Sequence, residues 1–364
     1  MPGSTNYSWS DLFMPDGPAS SPVVTQTFRV LRRRGEPLLL LPRRGDLAAE
    51  AMSLYPAQST LARAARFALR VAMDFGLPAG RRTELSFTST AELPTFLRGL
   101  IRSENLPAIA VLAGNPRVAG RRFLVLVYDS QDRPALVVKA GIGAAAKNLV
   151  DREADFLESI PADTPGVPVV RARLSNRINA FALDFVPGDA PRGGELVRVE
   201  ELLARWINPR RLIVARDLAM WQQLQAAVGP DPLFAQLDSR LADKQFYPAL
   251  AHGDFAPWNI KVSEPGRWTV LDWERGELMG PPAWDWFHFF LQPAILVDKL
   301  SPADLVETTA RMLNSLAFQH YAYAAGLTGS ERYWLLAYLL YQRDVIRPAE
   351  GLVQTNGLLQ ALIA

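Results

Sequence analysis

The chain has 364 residues, 49% of them hydrophobic and 21% charged, which is material for a large buried core and, at about 150 residues each, for two or three domains. Its 39 basic and 37 acidic side chains nearly cancel to +2, so a dedicated polyanion binder built on long-range charge is excluded and no nucleic-acid partner is expected. Cysteine is absent, which removes thiolate nucleophiles, disulfides and cysteine-based zinc sites, and the three histidines, His252, His288 and His320, are too scattered for a compact histidine metal site.

In chain order, residues 1–20 lack the basic start and apolar run of a secretory leader and read as a flexible lead. No segment supplies the long uncharged run of a membrane helix, so the expectation is a cytoplasmic protein with no membrane partner. Residues 25–44 read as two short strands around a turn at Gly35. From Pro56 to Phe75 the apolar residues Leu61, Ala65, Ala68, Leu69 and Ala72 recur at helical steps, with Arg63, Arg66 and Arg70 mostly on the other side. Residues 1–105 hold 13 arginines against 9 acids, which fits either a solvated face or a surface for an acidic or phosphorylated partner.

A short amphipathic helix is expected over 91–103, followed by three β-branched-rich runs across 107–139 that predict an antiparallel meander. A helix over 144–160 and two strands in PVVRARLSN and INAFALDFVPG come next, with a hinge near 184–188. Residues 195–247 and 303–342 are helical in pattern. The organisation expected is an N-terminal extension or subdomain (1–105), a small nucleotide-binding lobe (106–187) and a helical catalytic and substrate lobe (188–364).

The segment HGDFAPWN at 252–259, followed by the expected short strand TVLDWE at 269–274, carries the most specific chemistry. A loop carboxylate, an amide five residues on and a second carboxylate further along are what metal-assisted phosphoryl transfer requires. Asp254 would accept the proton of an attacking hydroxyl, Asn259 and Asp272 would hold Mg2+ with hard oxygen ligands, and His252 would anchor the loop.

These residues resemble the aminoglycoside phosphotransferase and choline kinase group of the protein-kinase-like fold, whose H-G-D-x-x-x-x-N loop and later D-W-E motif occur here in order. The resemblance covers roughly residues 107–345. It implies an α+β fold with a small antiparallel-sheet lobe and a mostly helical lobe, preceded here by an extra N-terminal α/β segment. It also implies ATP as donor and Mg2+ as metal, and it puts Asp285 of GPPAWDWFHFF in the place of a structural brace for the catalytic loop. A lysine on the third strand and a glutamate on the next helix complete the pattern. Lys139 ends the run ALVVK as one of five lysines in the chain, and Glu153 lies on the expected helix, with Glu158 as the competing partner. The strand FALDFVPG resembles the segment that meets adenine through backbone groups, implying Asp184, Phe185 and Val186. Between the first two strands of the small lobe only Gly114 and Gly120 are glycines, so LAGNPRVAGRRF departs from the protein-kinase phosphate loop.

Only 12 residues separate Asp272 from Asp285, too few for a peptide platform, so a small polar hydroxyl acceptor of the sugar, aminosugar or amino alcohol class is expected. Trp258, Trp284 and Glu274 could hold an amino or quaternary ammonium group by cation–π attraction and charge, against which stands core packing of the aromatics. A second reading is a catalytically silent nucleotide-binding or scaffold protein of kinase ancestry. Residues 1–105 would then serve a partner, and under either reading they are open to pairing between two copies of the chain.

Overall fold

The computed structural model describes every residue except 1–7, 15–22, 34, 56–59, 78, 89, 115–119, 192–194, 265, 348–350 and 364. It divides into two compact units, one of residues 1–159 and 168–186, the other of residues 160–167 and 187–364.

The first unit contains β1 (Val23–Arg33), β2 (Glu36–Pro42), α1 (Gly45–Ala51), α2 (Thr60–Asp74), β3 (Arg81–Thr88), α3 (Glu92–Ile101), β4 (Ile109–Ala113), β5 (Arg122–Tyr128), β6 (Pro134–Ile142), α4 (Ala144–Ser159), β7 (Val170–Ser175) and β8 (Ile178–Asp184). Its strands form one eight-stranded sheet in the order β3-β1-β2-β4-β5-β6-β8-β7, and every pairing in it is antiparallel. Side chains alternate between the faces of a strand, and both faces of the central strands are covered. Ile109, Val111, Phe123, Val125, Val127, Val138 and Ala140 pack on one side with α3 residues Leu93 and Leu97. Ala110, Leu112, Leu126 and Tyr128 pack on the other with α1 residues Leu47, Ala48 and Ala51 and with Met73. Two-sided burial is why these strands read as continuous apolar runs.

Residues 23–88 extend this sheet. The link is β2 with β4, where Leu39 pairs with Leu112 and Leu40 with Val111. The edge strand β3 was not expected, because Arg81, Arg82 and Glu84 interrupt its apolar pattern; charge on an edge strand discourages pairing with other chains.

One expectation is corrected in this unit. The lead is not flexible at residues 8–14. A 3-10 turn spans Trp9–Phe13 and buries Leu12 and Phe13 completely in the sheet core. Arg177 fastens this turn by donating to the carbonyls of Asp11 (2.9 Å) and Met14 (2.8 Å). Arg177→Ala is therefore expected to lower unfolding free energy by about 1–2 kcal/mol, read as a drop in denaturant midpoint at unchanged slope. The remainder of the lead lies outside the described residues. In α2 the exposure fits the solvated-face reading. Met73 is the buried anchor and Arg66 reaches the Tyr55 carbonyl, whereas Ala65, Ala68 and Phe67 are exposed.

The second unit contains α5 (Leu196–Ala204), β9 (Ile213–Val214), α6 (Ala219–Val228), α7 (Pro232–Leu241), β10 (Gln245–Phe246), β11 (Ala249–Ala251), β12 (Ile260–Ser263), β13 (Arg267–Val270), β14 (Glu277–Gly280), α8 (Trp284–Leu296), α9 (Pro302–Leu313), α10 (Leu316–Ala325), α11 (Glu331–Tyr341) and α12 (Leu352–Ile363). The helices enclose an aromatic core in which Trp286 stacks on Tyr321 and Trp221 meets Trp334 edge-on. Two short pairings, β11 with β14 and β12 with β13, frame the loops that follow β11 and β13. The expected strand TVLDWE is shorter than its apolar pattern suggests. It stops at Val270, and Asp272 takes a left-handed φ of 73° that no strand accommodates. Among the described residues, no helix is long and apolar enough to cross a membrane.

Candidate active site

In the second unit, β11 leads straight into HGDFAPWN. Gly253 has φ +76°, and a Cβ there would meet the Arg275 carbonyl oxygen at 2.7 Å, so both conformation and crowding require glycine. His252 is fully buried. Its Nδ1 accepts from the Asp254 backbone N–H at 3.2 Å, which leaves the proton on Nε2, and Nε2 donates to the Leu271 carbonyl at 2.9 Å. Burial lowers the His252 pKa, against the charges of Asp285 and Asp254, and so keeps the ring neutral in this bridging role. His252 thereby ties the loop carrying Asp254 to the residue preceding Asp272.

Asp285, at the start of α8, accepts from the backbone N–H groups of His252 (2.6 Å) and Gly253 (3.0 Å). Burial pushes its carboxyl up, while hydrogen bonds from these two amides pull the other way. The expected brace is therefore a buried carboxylate gripping the loop backbone.

Asp254 is only part-buried. Its Oδ2 accepts from Asn259 Nδ2 at 3.0 Å and its Oδ1 accepts from His288 Nε2 at 2.9 Å. Burial alone would raise its carboxyl. The His288 hydrogen bond and the Arg275 charge act against it, and the group is held below the ordinary carboxylate value. The Asn259 amide nitrogen also donates to the Asp254 carbonyl at 2.8 Å, so its Oδ1 faces the other way, with no hydrogen bond to another of the described residues. The Asn259 carbonyl accepts from Leu271 N–H at 2.7 Å, fixing the amide one residue from Asp272. A hard amide oxygen and a carboxylate held so close along the backbone fit magnesium, which takes one or two carboxylates from protein and the rest of its shell from phosphate and water. The positive φ of Asp272 is the kind of stored strain found where a side chain must point in one direction.

In the first unit, Lys139 Nζ lies 2.6 and 2.7 Å from the two carboxylate oxygens of Glu153. Lys139 is 9% exposed and Glu153 is 0% exposed. Glu158 instead joins Asp151 and Asp155 around Arg173, so the competing partner is otherwise engaged. Asp184 is exposed and forms a two-pronged ion pair with Arg171. The Phe185 N–H donates to the Ala135 carbonyl at 2.8 Å, prolonging the β6–β8 ladder, so that amide is not offered to a base. Of the segment between Gly114 and Gly120, residues 115–119 lie outside the described residues.

Trp284 is corrected as a candidate substrate contact. It is 3% exposed and packs against Tyr341 and Tyr338. Trp273 and Trp286 are buried as well, so core packing accounts for these aromatics, while Trp258 and Glu274 keep accessible surface. Sequence reasoning missed His288 and Tyr338 as neighbours of Asp254. The available signal was the three-residue step from Asp285 to His288, which puts both on one side of a helix.

The loop with its brace in the second unit, and the buried Lys139–Glu153 pair in the first, are the features on which the resemblance to a phosphotransferase family rests. The model of the APH family, the phosphotransferase enzyme family, matches residues 106–327, well over half of the chain, and the chain belongs to that family. Its fold is of the α+β class, with an antiparallel sheet in one unit and mostly helices in the other, and the family it belongs to is one of phosphotransferase enzymes. Solved structures similar to it include aminoglycoside phosphotransferase APH(4)-Ia in a ternary complex with ADP and hygromycin B (16% identity, TM-score 0.46, covering 76% of this chain and 98% of that one). Others are a macrolide 2'-phosphotransferase from Brachybacterium faecium (19%, 0.40, 69% and 91%) and a choline kinase from Cryptosporidium parvum (10%, 0.42, 70% and 88%). No curated protein matches the sequence.

Proposed function

We infer that the protein transfers the γ-phosphoryl group of ATP, with Mg2+, to a hydroxyl of a small polar acceptor of the sugar, aminosugar or amino alcohol class. The observation that supports this most is the Asp254–Asn259 arrangement. The amide nitrogen grips the base while Oδ1 is left for a cation, and the Asn259 carbonyl is bonded to the residue before Asp272. Asp254 orients the acceptor hydroxyl and takes its proton as the acceptor oxygen bonds to the γ-phosphorus and the bond to the ADP oxygen breaks. Asn259 and Asp272 would hold magnesium, which when bound neutralises charge between the β- and γ-phosphates. Lys139, kept in place by Glu153, would hold the α- and β-phosphates. The segment Asp184–Val186 would meet the base through backbone groups other than the Phe185 amide. Trp258 and Glu274 are the remaining candidates for an amino group on the acceptor.

A coupled ADP-release assay of purified protein with Mg-ATP and a panel of sugars, aminosugars and amino alcohols tests the reading. Acceptor-dependent ADP release that vanishes with EDTA is the expected result. Acceptor-dependent release that persists without divalent metal would contradict it.

A further inference from the structure

His288 sits one helical turn after the brace Asp285, on α8, and is 3% exposed. Its two ring nitrogens have distinct partners. Nε2 is 2.9 Å from Asp254 Oδ1, and Nδ1 is 3.1 Å from the Tyr338 hydroxyl of α11. That hydroxyl in turn accepts from Gln292 Nε2 at 3.5 Å, and Gln292 lies one turn beyond His288 on the same helix. The proton assignment follows from the ends of this chain. A carboxylate only accepts, so Nε2 must carry a hydrogen. Burial raises the Tyr338 pKa and keeps its O–H intact; with the amide of Gln292 donating to its oxygen, that O–H is directed at Nδ1. The run is Gln292 to Tyr338 to His288 to Asp254, each group donating to the next.

An aspartate carboxylate turns about a broad terminal torsion, and a base whose lone pairs wander by tens of degrees loses alignment with the acceptor hydroxyl. Asn259 restrains one oxygen. We propose that His288 is a positioning residue for Asp254, its Nε2–H gripping the second carboxylate oxygen and its own tautomer set by Tyr338, so that the carboxylate plane is fixed from both sides before an acceptor arrives. This rests on Asp254 being the base. It adds a role to a histidine that lies outside the HGD loop and belongs to neither the metal-binding nor the phosphate-binding residues.

The test uses the full chain labelled with 15N-histidine, in which only three imidazoles appear, with His288 assigned by loss of its signals in His288→Gln. The expected spectrum has His288 in the Nε2–H tautomer, its Nε2 signal displaced by Asp254→Asn and its Nδ1 signal displaced by Tyr338→Phe. An Nδ1–H tautomer, or an Nε2 signal unmoved by Asp254→Asn, overturns the proposal without any turnover measurement. The second readout is ADP release from Mg-ATP with water as acceptor. His288→Phe, which fills the space but has no donor, should lower kcat about 10- to 100-fold with KM for ATP and calorimetric Mg-ADP affinity within about twofold of the parent. His288→Gln, which restores an N–H donor, should recover most of the loss. Unchanged kcat in His288→Phe, or loss of Mg-ADP binding together with turnover, counts against a positioning role. Full turnover in Asp254→Asn would remove the base assignment itself, whereas an inactive Asp254→Asn beside a fully active His288→Phe would remove only this proposal.

Discussion

Asp254→Asn is expected to lower kcat by about 10²- to 10⁴-fold, the range that a positioned general base contributes, while calorimetric affinity for Mg-ATP changes little. The substitution keeps the shape of the side chain. It leaves one oxygen, which can accept from His288 or from Asn259 but not from both, and puts an amide nitrogen opposite the other donor. Backbone contacts of the loop are untouched, because Asp285 and His252 hold the main chain rather than the Asp254 carboxylate. Loss confined to kcat therefore reports the missing proton acceptor. Turnover within a few-fold of the parent would take Asp254 out of the base role.

The second large effect concerns stability. Glu153→Ala should destabilise the first unit by about 3–5 kcal/mol, because it leaves the Lys139 ammonium buried without its carboxylate. That is a large part of the total of about 5–15 kcal/mol that holds a typical protein folded. The double variant Lys139→Met/Glu153→Leu removes both charges and should regain most of the loss, since an apolar replacement of similar volume is often neutral. It should nevertheless have weak affinity for Mg-ATP, separating the stability of the pair from its use. A Glu153→Ala protein with an unfolding free energy within about 0.5 kcal/mol of the parent would mean that the ion pair has little part in the packed unit.

What could be read from the sequence was whatever is contiguous or strictly periodic. HGDFAPWN is a single run, and its chemistry depends on residue types at fixed spacing. Lys139 stood out as a lysine ending the apolar run ALVVK, and Glu153 as an acid on the helix that follows; the ion pair between them joins elements adjacent in the chain. The contacts that escaped are those between distant segments. Burial of Leu12 and Phe13 depends on Arg177, more than 160 residues away. In α2 periodicity located the alanine stripe but left open whether solvent or a partner covers it. The Phe185 amide looked available until the β6–β8 ladder proved to continue to Ala135. His288 and Tyr338 come together from helices 50 positions apart, a juxtaposition that no local pattern encodes.

The central claim is that Asn259 and Asp272 of the second unit serve one magnesium ion, and a double-mutant cycle of Mg-ATP affinity by titration calorimetry tests it most directly. Asn259→Ala and Asp272→Asn should each weaken binding, and the double variant should lose less than the sum by about 0.5–3 kcal/mol, the coupling of groups that share a partner. Losses that add to within about 0.3–0.5 kcal/mol, as for independent sites, would contradict it.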